Sequence, residues 1–442
     1  MEVLISFIIF LAAMVACLIF KISILAGLAV GWAVFALASL RRGSRFADVL
    51  RASGNGVKDS LIVVSILLII DMLTASWRSG GTILFFVYYG IKLISPRLFI
   101  VLTFVLCSVL SYAIGTSFGV VGTMGVIFMA IARSGGANEI LTAGAVMSGI
   151  YFGDCCSPAS SSMALTAALC HTDAYSHSRR LLKANLLPSA ACLVIYGLIS
   201  FFFPLESVST SMMYAISSEF NVSWWTALPA VIMLLLPVLK VKTKYAMAAS
   251  ILAAGAVSVA LQGMSVPDFL KCLAFGYQKA SQGLGTILHG GGILSMLEIS
   301  AILALSSTYS RIFRLTGMLD GVEEKLSGLI LRFGAFPVML AASIAAGIVF
   351  CNQTIAILMC ASMLAPAYEN LGAGGETLAL DIGCSAVDVC GLIPWCIACS
   401  VPLQVMGVGV SALPVSFLLF LLPLFRLAGA LIKSHKKIKA GA

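Results

Sequence analysis

Apolar runs of about 20 residues recur from one end of this chain to the other, and nothing else in it constrains the fold as much. A run of that length crosses the hydrocarbon of a bilayer as a helix, the form that pairs every backbone amide within its own segment. Composition leaves no other reading. Of 442 residues, 60% are hydrophobic and 10% charged, whereas a soluble domain carries about 25% charged residues. The expected fold class is an all-α polytopic membrane protein. The net charge of +9 is spread as short basic clusters between apolar spans, which is how cytoplasmic loops are marked, and it argues against a nucleic-acid partner.

Those clusters orient the chain. Two spans, about 3–20 and 22–40, end at Arg41, Arg42, Arg45 and Arg51, which places the N-terminus inside. Glu2 stands where a signal peptide carries positive charge, so no cleavage is expected. A third span covers about 57–77. The next piece, "TILFFVYYGIKLIS", reads as a span or as an interfacial helix. The interfacial reading puts Arg179, Arg180 and Lys183, then Lys240, Lys242 and Lys244, then Arg311 and Arg314, and finally "KSHKKIK", all inside, with the charge-poor loop Pro204 to Ser223 outside. It requires 98–132 and 335–371 to enter and leave on one side as re-entrant hairpins, which is permitted where protein or a water-filled cavity surrounds their tips. The result is about ten full spans and two hairpins, both termini cytoplasmic, in a cytoplasmic membrane.

The two halves carry matching landmarks. Gly80 and Gly317 are separated by 317 − 80 = 237 residues, Ser117 and Thr354 by 354 − 117 = 237, and Pro158 and Pro394 by 394 − 158 = 236. With the topology above, the copies start on opposite sides of the membrane, an inverted repeat of the kind that places transport sites at the repeat interface. The chain then divides into two N-terminal spans with a basic loop (1–56), a first repeat (57–183), connecting spans (184–285), a second repeat (286–410), and a last span with a basic tail (411–442).

Each half holds a polar hairpin tip and a break. The first has Gly115, Thr116, Ser117 and Gly119, then "GDCCSP"; the second has Asn352, Gln353 and Thr354, then "DVCGLIPW". Pro158 and Pro394 should interrupt their helices, because proline lacks the amide and clashes with the preceding turn. Breaks expose free carbonyls and amides that bind ions at membrane depth. Ser160, Ser161 and Ser162 are placed to cap the restarting helix. Asp154 adjoins the break. A charge at the bilayer centre costs at least ~2.5–3.5 kcal/mol, so an intramembrane acid points to function. Asp154 can bind a cation when ionised and give it up for a proton. Thr116, Ser117, Ser157, Ser160, Ser161, Asn352, Gln353 and Thr354 would supply neutral oxygens or orient the tips, and Asp388, six residues before Pro394, is a further candidate. Asp71 lies mid-span and Glu298 near the start of its span, while Asp381 and Glu376 sit near a boundary and are expected to be solvated.

Metal and catalytic motifs are weak. Cys155 and Cys156 are adjacent and cannot both point easily at one tetrahedral ion, and the usual zinc spacings are missing, so no metal is expected. Thirteen cysteines in apolar segments read as small buried hydrophobes, and His171 and His177 as interfacial residues. A membrane hydrolase using two aspartates has no supporting motif.

Around these residues the chain resembles the NhaC family of sodium–proton antiporters, within the ion transporter superfamily. The pieces that carry the resemblance are "GTSFGVVGTMGV" (115–126), "TAGAVMSGIYFGDCCSP" (142–158), "GGGILSM" (290–296) and "LIPW" (392–395). The resemblance implies an inverted-repeat fold with paired hairpins and transport coupled to Na⁺ or H⁺. Four positions depart from the family pattern. Ser161 stands in place of an acid and Met163 in place of a hydroxyl, Cys384 before Ser385 stands where the family has an acid followed by serine, with Asp388 one turn further on, and Asn352 stands where some relatives carry an acid. The expected function is a Na⁺(cation)/H⁺ antiporter working by alternating access. An ion-coupled carrier of an organic solute, an amino acid or a carboxylate, is the alternative. Coupling ions replace any cofactor, no enzymatic activity is expected, and the partners are lipid and the small solute, with a homodimer allowed.

Overall fold

The computed structural model of the chain describes residues 2–20, 22–93, 95–205, 216–239, 241–278, 290–318 and 321–440. Lys240, residues 206–215 of the charge-poor loop, the boundary at 285–286 and the side chains of the basic tail from 433 onward lie outside the described residues. Within them the chain is helical, with no β-strand beyond a single antiparallel bridge between Tyr277 and Gly290.

The first helices are α1 (Glu2–Ile19), α2 (Ile24–Arg41), α3 (Phe46–Ser79) and α4 (Thr82–Leu93). A hairpin follows, α5 (Phe99–Ile114) returning through α6 (Ser117–Val120), a π-helical turn and α7 (Val126–Ser134). α8 (Glu139–Cys156) and α9 (Ser161–Leu169) are two parts of one broken helix. α10 (Ala174–Phe202), α11 (Leu228–Val238), α12 (Thr243–Ala260) and α13 (Val266–Phe275) connect the halves. The second half has α14 (Leu297–Thr316), α15 (Val322–Phe333), a hairpin of α16 (Ala335–Phe350) and α17 (Gln353–Asn370), and a broken helix of α18 (Gly375–Gly383), α19 (Ala386–Val389) and α20 (Ile397–Met406). α21 (Phe417–Ala440) comes last.

Seven helical segments among the described residues are long and apolar enough to cross a membrane, or eight if the α18–α20 pair, bent by 50°, is one span. Shorter apolar stretches lie in α1, α11, α16 and α21, and the expected third span sits inside α3. The chain is a multi-pass membrane protein. The ambiguous piece forms α4, whose 12 residues reach about 18 Å at ~1.5 Å each, short of the ~30 Å hydrocarbon core.

The repeat holds at the level of helix boundaries, with an offset of 236 through the hairpins and at the starts of the broken helices. Gly81 and Gly317 both turn in the left-handed region, at φ 75° and 57°, with 317 − 81 = 236. The hairpins begin at Phe99 and Ala335, turn at Gly115 and Cys351, and end at Ser134 and Asn370. The broken helices begin at Glu139 and Gly375 and resume at Ser161 and Ile397. All of these pairs differ by 236. This corrects one of the landmark pairs. Gly80 and Gly317 do share a role, each capping the C-terminus of its helix, but Ser117 matches Gln353, because what the copies share is the cap before the helix (Thr116 and Asn352) rather than the hydroxyl after it.

Glycine sets how closely the first hairpin docks on its broken helix. A Cβ on Gly153 would lie 2.1 Å from the Ser111 carbonyl carbon, and one on Gly149 2.5 Å from Cys107 Cβ. α5 and α8 therefore pack nearly backbone to backbone, as small residues allow in membranes. Away from this contact, Phe10 and Phe35 of α1 and α2 pack edge-on against Tyr309 and Phe313 of α14, and Phe7 packs tilted against Phe313.

Candidate functional site

The breaks form where the prolines stand. α8 stops at Cys156 and α9 resumes at Ser161, with Pro158 in the gap, while Pro394 separates α19 and its terminal turn from α20. Each tip rests on the break of its own repeat. Gly115 leaves no room for a Cβ, which would sit 2.5 Å from the Ala159 carbonyl carbon, and the amide of Ile397 donates to the Cys351 carbonyl at 3.0 Å.

One serine, Ser160, caps the restart. Its Oγ accepts from the amides of Ser162 (3.2 Å) and Met163 (3.5 Å) while donating to Asp154 Oδ1 at 2.9 Å. Ser161 and Ser162, expected as caps, instead belong to the first turn. Ser162 Oγ lies 3.3 Å and 3.2 Å from the two Asp154 oxygens. From the second repeat, Gln353 Nε2 donates to Asp154 Oδ2 at 3.0 Å and to the Val387 carbonyl at 3.1 Å. The acid, 4% exposed, is thus held by donors from both repeats. Each hydrogen bond to a charged group contributes about 1.5–3 kcal/mol, which reduces the cost of burying the carboxylate without removing it.

Asp154 faces a cavity of about 170 Å³. Seven of the expected residues line it: Thr116, Ser117, Asp154, Ser161, Asn352, Gln353 and Thr354. Two of them spend their oxygens on the tips. Asn352 Oδ1 accepts from the amides of Thr354 (2.9 Å) and Ile355 (3.3 Å), and Thr116 Oγ1 from that of Gly119 (3.3 Å). Ser160 touches the acid without lining the cavity. Ser157 is buried in the turn, its Oγ accepting from the Ala159 amide at 3.2 Å. Asp388 is fully buried, lines none of this space, and has no hydrogen-bond partner on either oxygen among the described residues.

Ser162, Ile66, Phe118, Ile397 and Ala398 also line the cavity and were not expected there. Ser162 was discoverable, since a residue two past an N-cap shares its turn. A second cavity of about 230 Å³ shares Asn352 and Thr354 with the first, and Arg311, Arg314, Ser60, Ser307 and Ser310 line it. A larger concavity of about 550 Å³ is lined by residues 88–89, 217–222 and 261–262 and holds none of these residues.

Other acids are already engaged. Asp381, expected to be solvated, is 2% exposed, bonded to Arg426 Nε at 2.7 Å and Tyr368 Oη at 2.8 Å. Glu376 pairs with Arg180 at the surface. Asp71 accepts from Ser295 Oγ, and Glu298 from Ser23 Oγ. His177 is buried in the first turn of α10. All thirteen cysteines are buried and free.

The sequence model of the Na⁺/H⁺ antiporter family matches residues 2–201 and 149–427. Among curated relatives, the malate-2H⁺/Na⁺-lactate antiporter of Bacillus subtilis is 25% identical over 402 residues, covering 89% of this chain and 86% of its own. An uncharacterized Na⁺/H⁺ antiporter of Haemophilus influenzae is 30% identical, covering 87% and 84%. The Na⁺/H⁺ antiporter NhaC of Alkalihalophilus pseudofirmus is 26% identical, covering 85% and 83%.

Proposed function

The chain belongs to the Na⁺/H⁺ antiporter family, and from that premise we propose that Asp154 binds a small cation, Na⁺ first of all, and a proton in turn. The observation that carries this is the placement of Asp154 as the one carboxylate, among the described residues, lining a cavity built by both repeats. Ionised, it binds a monovalent cation with the oxygens of Ser161, Ser162 and Thr354 near by. Protonated, it needs none. Both loaded forms are neutral, whereas the empty form buries a bare charge at a cost of several kcal/mol. A carrier whose empty form cannot rearrange is an exchanger. The rearrangement would be alternating access, the hairpins and broken helices moving against the remaining helices, with the two repeats inverted.

The carrier would work in a cytoplasmic membrane with both termini inside, surrounded by lipid, as a homodimer, with no catalytic step and no prosthetic group beyond its coupling ions. The test uses proteoliposomes enclosing a pH-sensitive dye. A Na⁺ pulse should move protons in the opposite direction, and silence toward every alkali cation would overturn the proposal. The second reading, an organic solute on the same fold, draws on Ser161 in place of a second acid and on the relative named for malate and lactate.

A further inference from the structure

The start of α10 props the first break. Ser178 Oγ donates at 2.6 Å to the carbonyl of Cys156, the last residue of α8 and two past Asp154, and Asn185 Nδ2 reaches the Cys156 thiol at 3.1 Å. On its other side α10 fits against α18. Leu181 lies over Gly383, where a Cβ would fall 2.6 Å from it, and Arg180 pairs with Glu376. The turn before α10 is as close, since a Cβ on Gly375 would lie 2.1 Å from the Cys170 carbonyl oxygen. α10 has 29 residues, about 43 Å at ~1.5 Å each, against a hydrocarbon core of ~30 Å. Its first turns, with Tyr175, Arg179 and Arg180 exposed, therefore reach water.

His177 stands beside Ser178 in this joint. It is 2% exposed, and neither ring nitrogen has a hydrogen-bond partner among the described residues. The charged groups of the surrounding elements are committed elsewhere. Asp173 accepts from the Ser176 amide at 2.7 Å, Arg180 and Glu376 hold each other, Asp381 of α18 is bonded to Arg426 of α21 and Tyr368 of α17, and Asp154 of α8 has its own donors. α9 and α5 carry no charged residue. The other ionisable groups near by are the buried thiols of Cys155, Cys156 and Cys170 and the exposed His171, Arg179 and Lys183. We infer that His177 is an acid-sensitive latch, whose neutral ring keeps the start of α10 docked on the break and whose protonation undocks it. An imidazolium with no acceptor facing it would be a bare buried charge, a cost the neutral ring avoids. The docked form thus holds no proton at His177, while the undocked form takes one with the ordinary midpoint near 6.5. Because the undocked form holds the extra proton, docking is at full strength above about pH 7 and weakens as the pH falls through about 6.5. From pH 7 to pH 5 the undocked fraction rises about 25-fold. Undocking takes Ser178 from the Cys156 carbonyl and loosens the break beside Asp154, so exchange slows in acid.

The effect on exchange rests on the reading of Asp154 as a cation site; the latch itself does not, and the test separates the two. Hydrogen–deuterium exchange is followed on purified full-length protein at residues 177–183, corrected for the intrinsic dependence of amide exchange on pH. Wild type is expected to open about 25-fold more at pH 5 than at pH 7, and His177→Gln, which cannot charge, equally at both. Equal protection at the two pH values in wild type, or the same pH dependence in His177→Gln, overturns the latch. Should that variant fail to fold, His177→Leu makes the same comparison with the same expected result. Dye-loaded proteoliposomes then read exchange at about pH 5.5 and 7.5. Proton competition at Asp154 is common to wild type and variant, so His177→Gln is expected to keep a severalfold larger share of its alkaline rate. Identical pH profiles in the two proteins overturn the link between the latch and the break. A wild type silent toward every alkali cation removes the cation reading and leaves the deuterium measurement to decide the latch.

Discussion

Replacing Asp154 by Asn removes one charge and almost no volume, so it separates electrostatics from packing. A monovalent cation about 4 Å from the carboxylate gains roughly 4 kcal/mol at an effective dielectric constant of ~20. At 1.4 kcal/mol per tenfold, its loss lowers cation affinity about a thousandfold. The folded state suffers far less. Ser160 and Ser162 can rotate their hydroxyls, but Gln353, which donates to both Asp154 and the Val387 carbonyl, must turn its amide to meet a new N–H. That forfeits one hydrogen bond, about 1 kcal/mol, or about 1–2 °C of melting temperature in a chain of this length. The variant should therefore purify and melt like wild type while giving no Na⁺-driven proton flux in dye-loaded liposomes. Flux above about a tenth of wild type would refute the reasoning, because no neutral residue lining the cavity could replace the charge.

Three further substitutions probe the same architecture. Ser160→Ala removes both the cap of α9, about 1 kcal/mol, and a donor to Asp154; cation affinity measured with ²²Na⁺ should fall by about tenfold, and a wild-type value would show that Ser160 does not support the charge. Asp388→Leu deletes a carboxyl with no partner on either oxygen, so the melting temperature should hold or rise; a fall of several degrees would mean that the carboxyl is held after all. Asp381→Leu strands Arg426 at a cost of about 3–5 kcal/mol, and adding Arg426→Leu should recover much of the lost melting temperature; strictly additive losses would rule out the pair.

The parts of the site governed by local chemistry were legible in the sequence. Pro158 and Pro394 stand at breaks, as a residue without an amide favours, although Pro188, Pro366, Pro402 and Pro423 lie inside continuous helices, so proline marks a break only together with the polar residues beside it. An acid beside a break in an apolar run is costly enough to stand out, and Asp154 did. What stayed hidden depends on contacts between distant segments. Asp381 looked like a boundary acid because its partner, Arg426, lies 45 residues away on α21. Arg311 and Arg314 looked like markers of the inner face, since the sequence does not reveal that α17 leaves a cavity beside them. The repeat was misplaced by one residue for a different reason. Carrying the Gly80–Gly317 offset forward paired Ser117 with Thr354, while the chain keeps the role of the cap, which threonine fills at 116 and asparagine at 352.

With the register corrected, the position equivalent to Asp154 in the second repeat is 154 + 236 = 390, a buried cysteine. The backbone is repeated and the charge is not. Two symmetric acids in one cavity would need two monovalent cations, or two protons, to become neutral; one acid needs one. The second repeat instead contributes Gln353, which reaches across to Asp154 and ties it to the Val387 carbonyl, one residue before Asp388. Occupancy of the first repeat is thereby linked to the broken helix of the second. On the proposed function, a cation that takes Asp154 Oδ2 would compete with that amide and free α19 from the contact, whereas a proton would leave the amide in place. The asymmetry would then put the charge on one repeat and the side chain that senses it on the other, the division an exchanger needs if cation and proton are to use one site in turn.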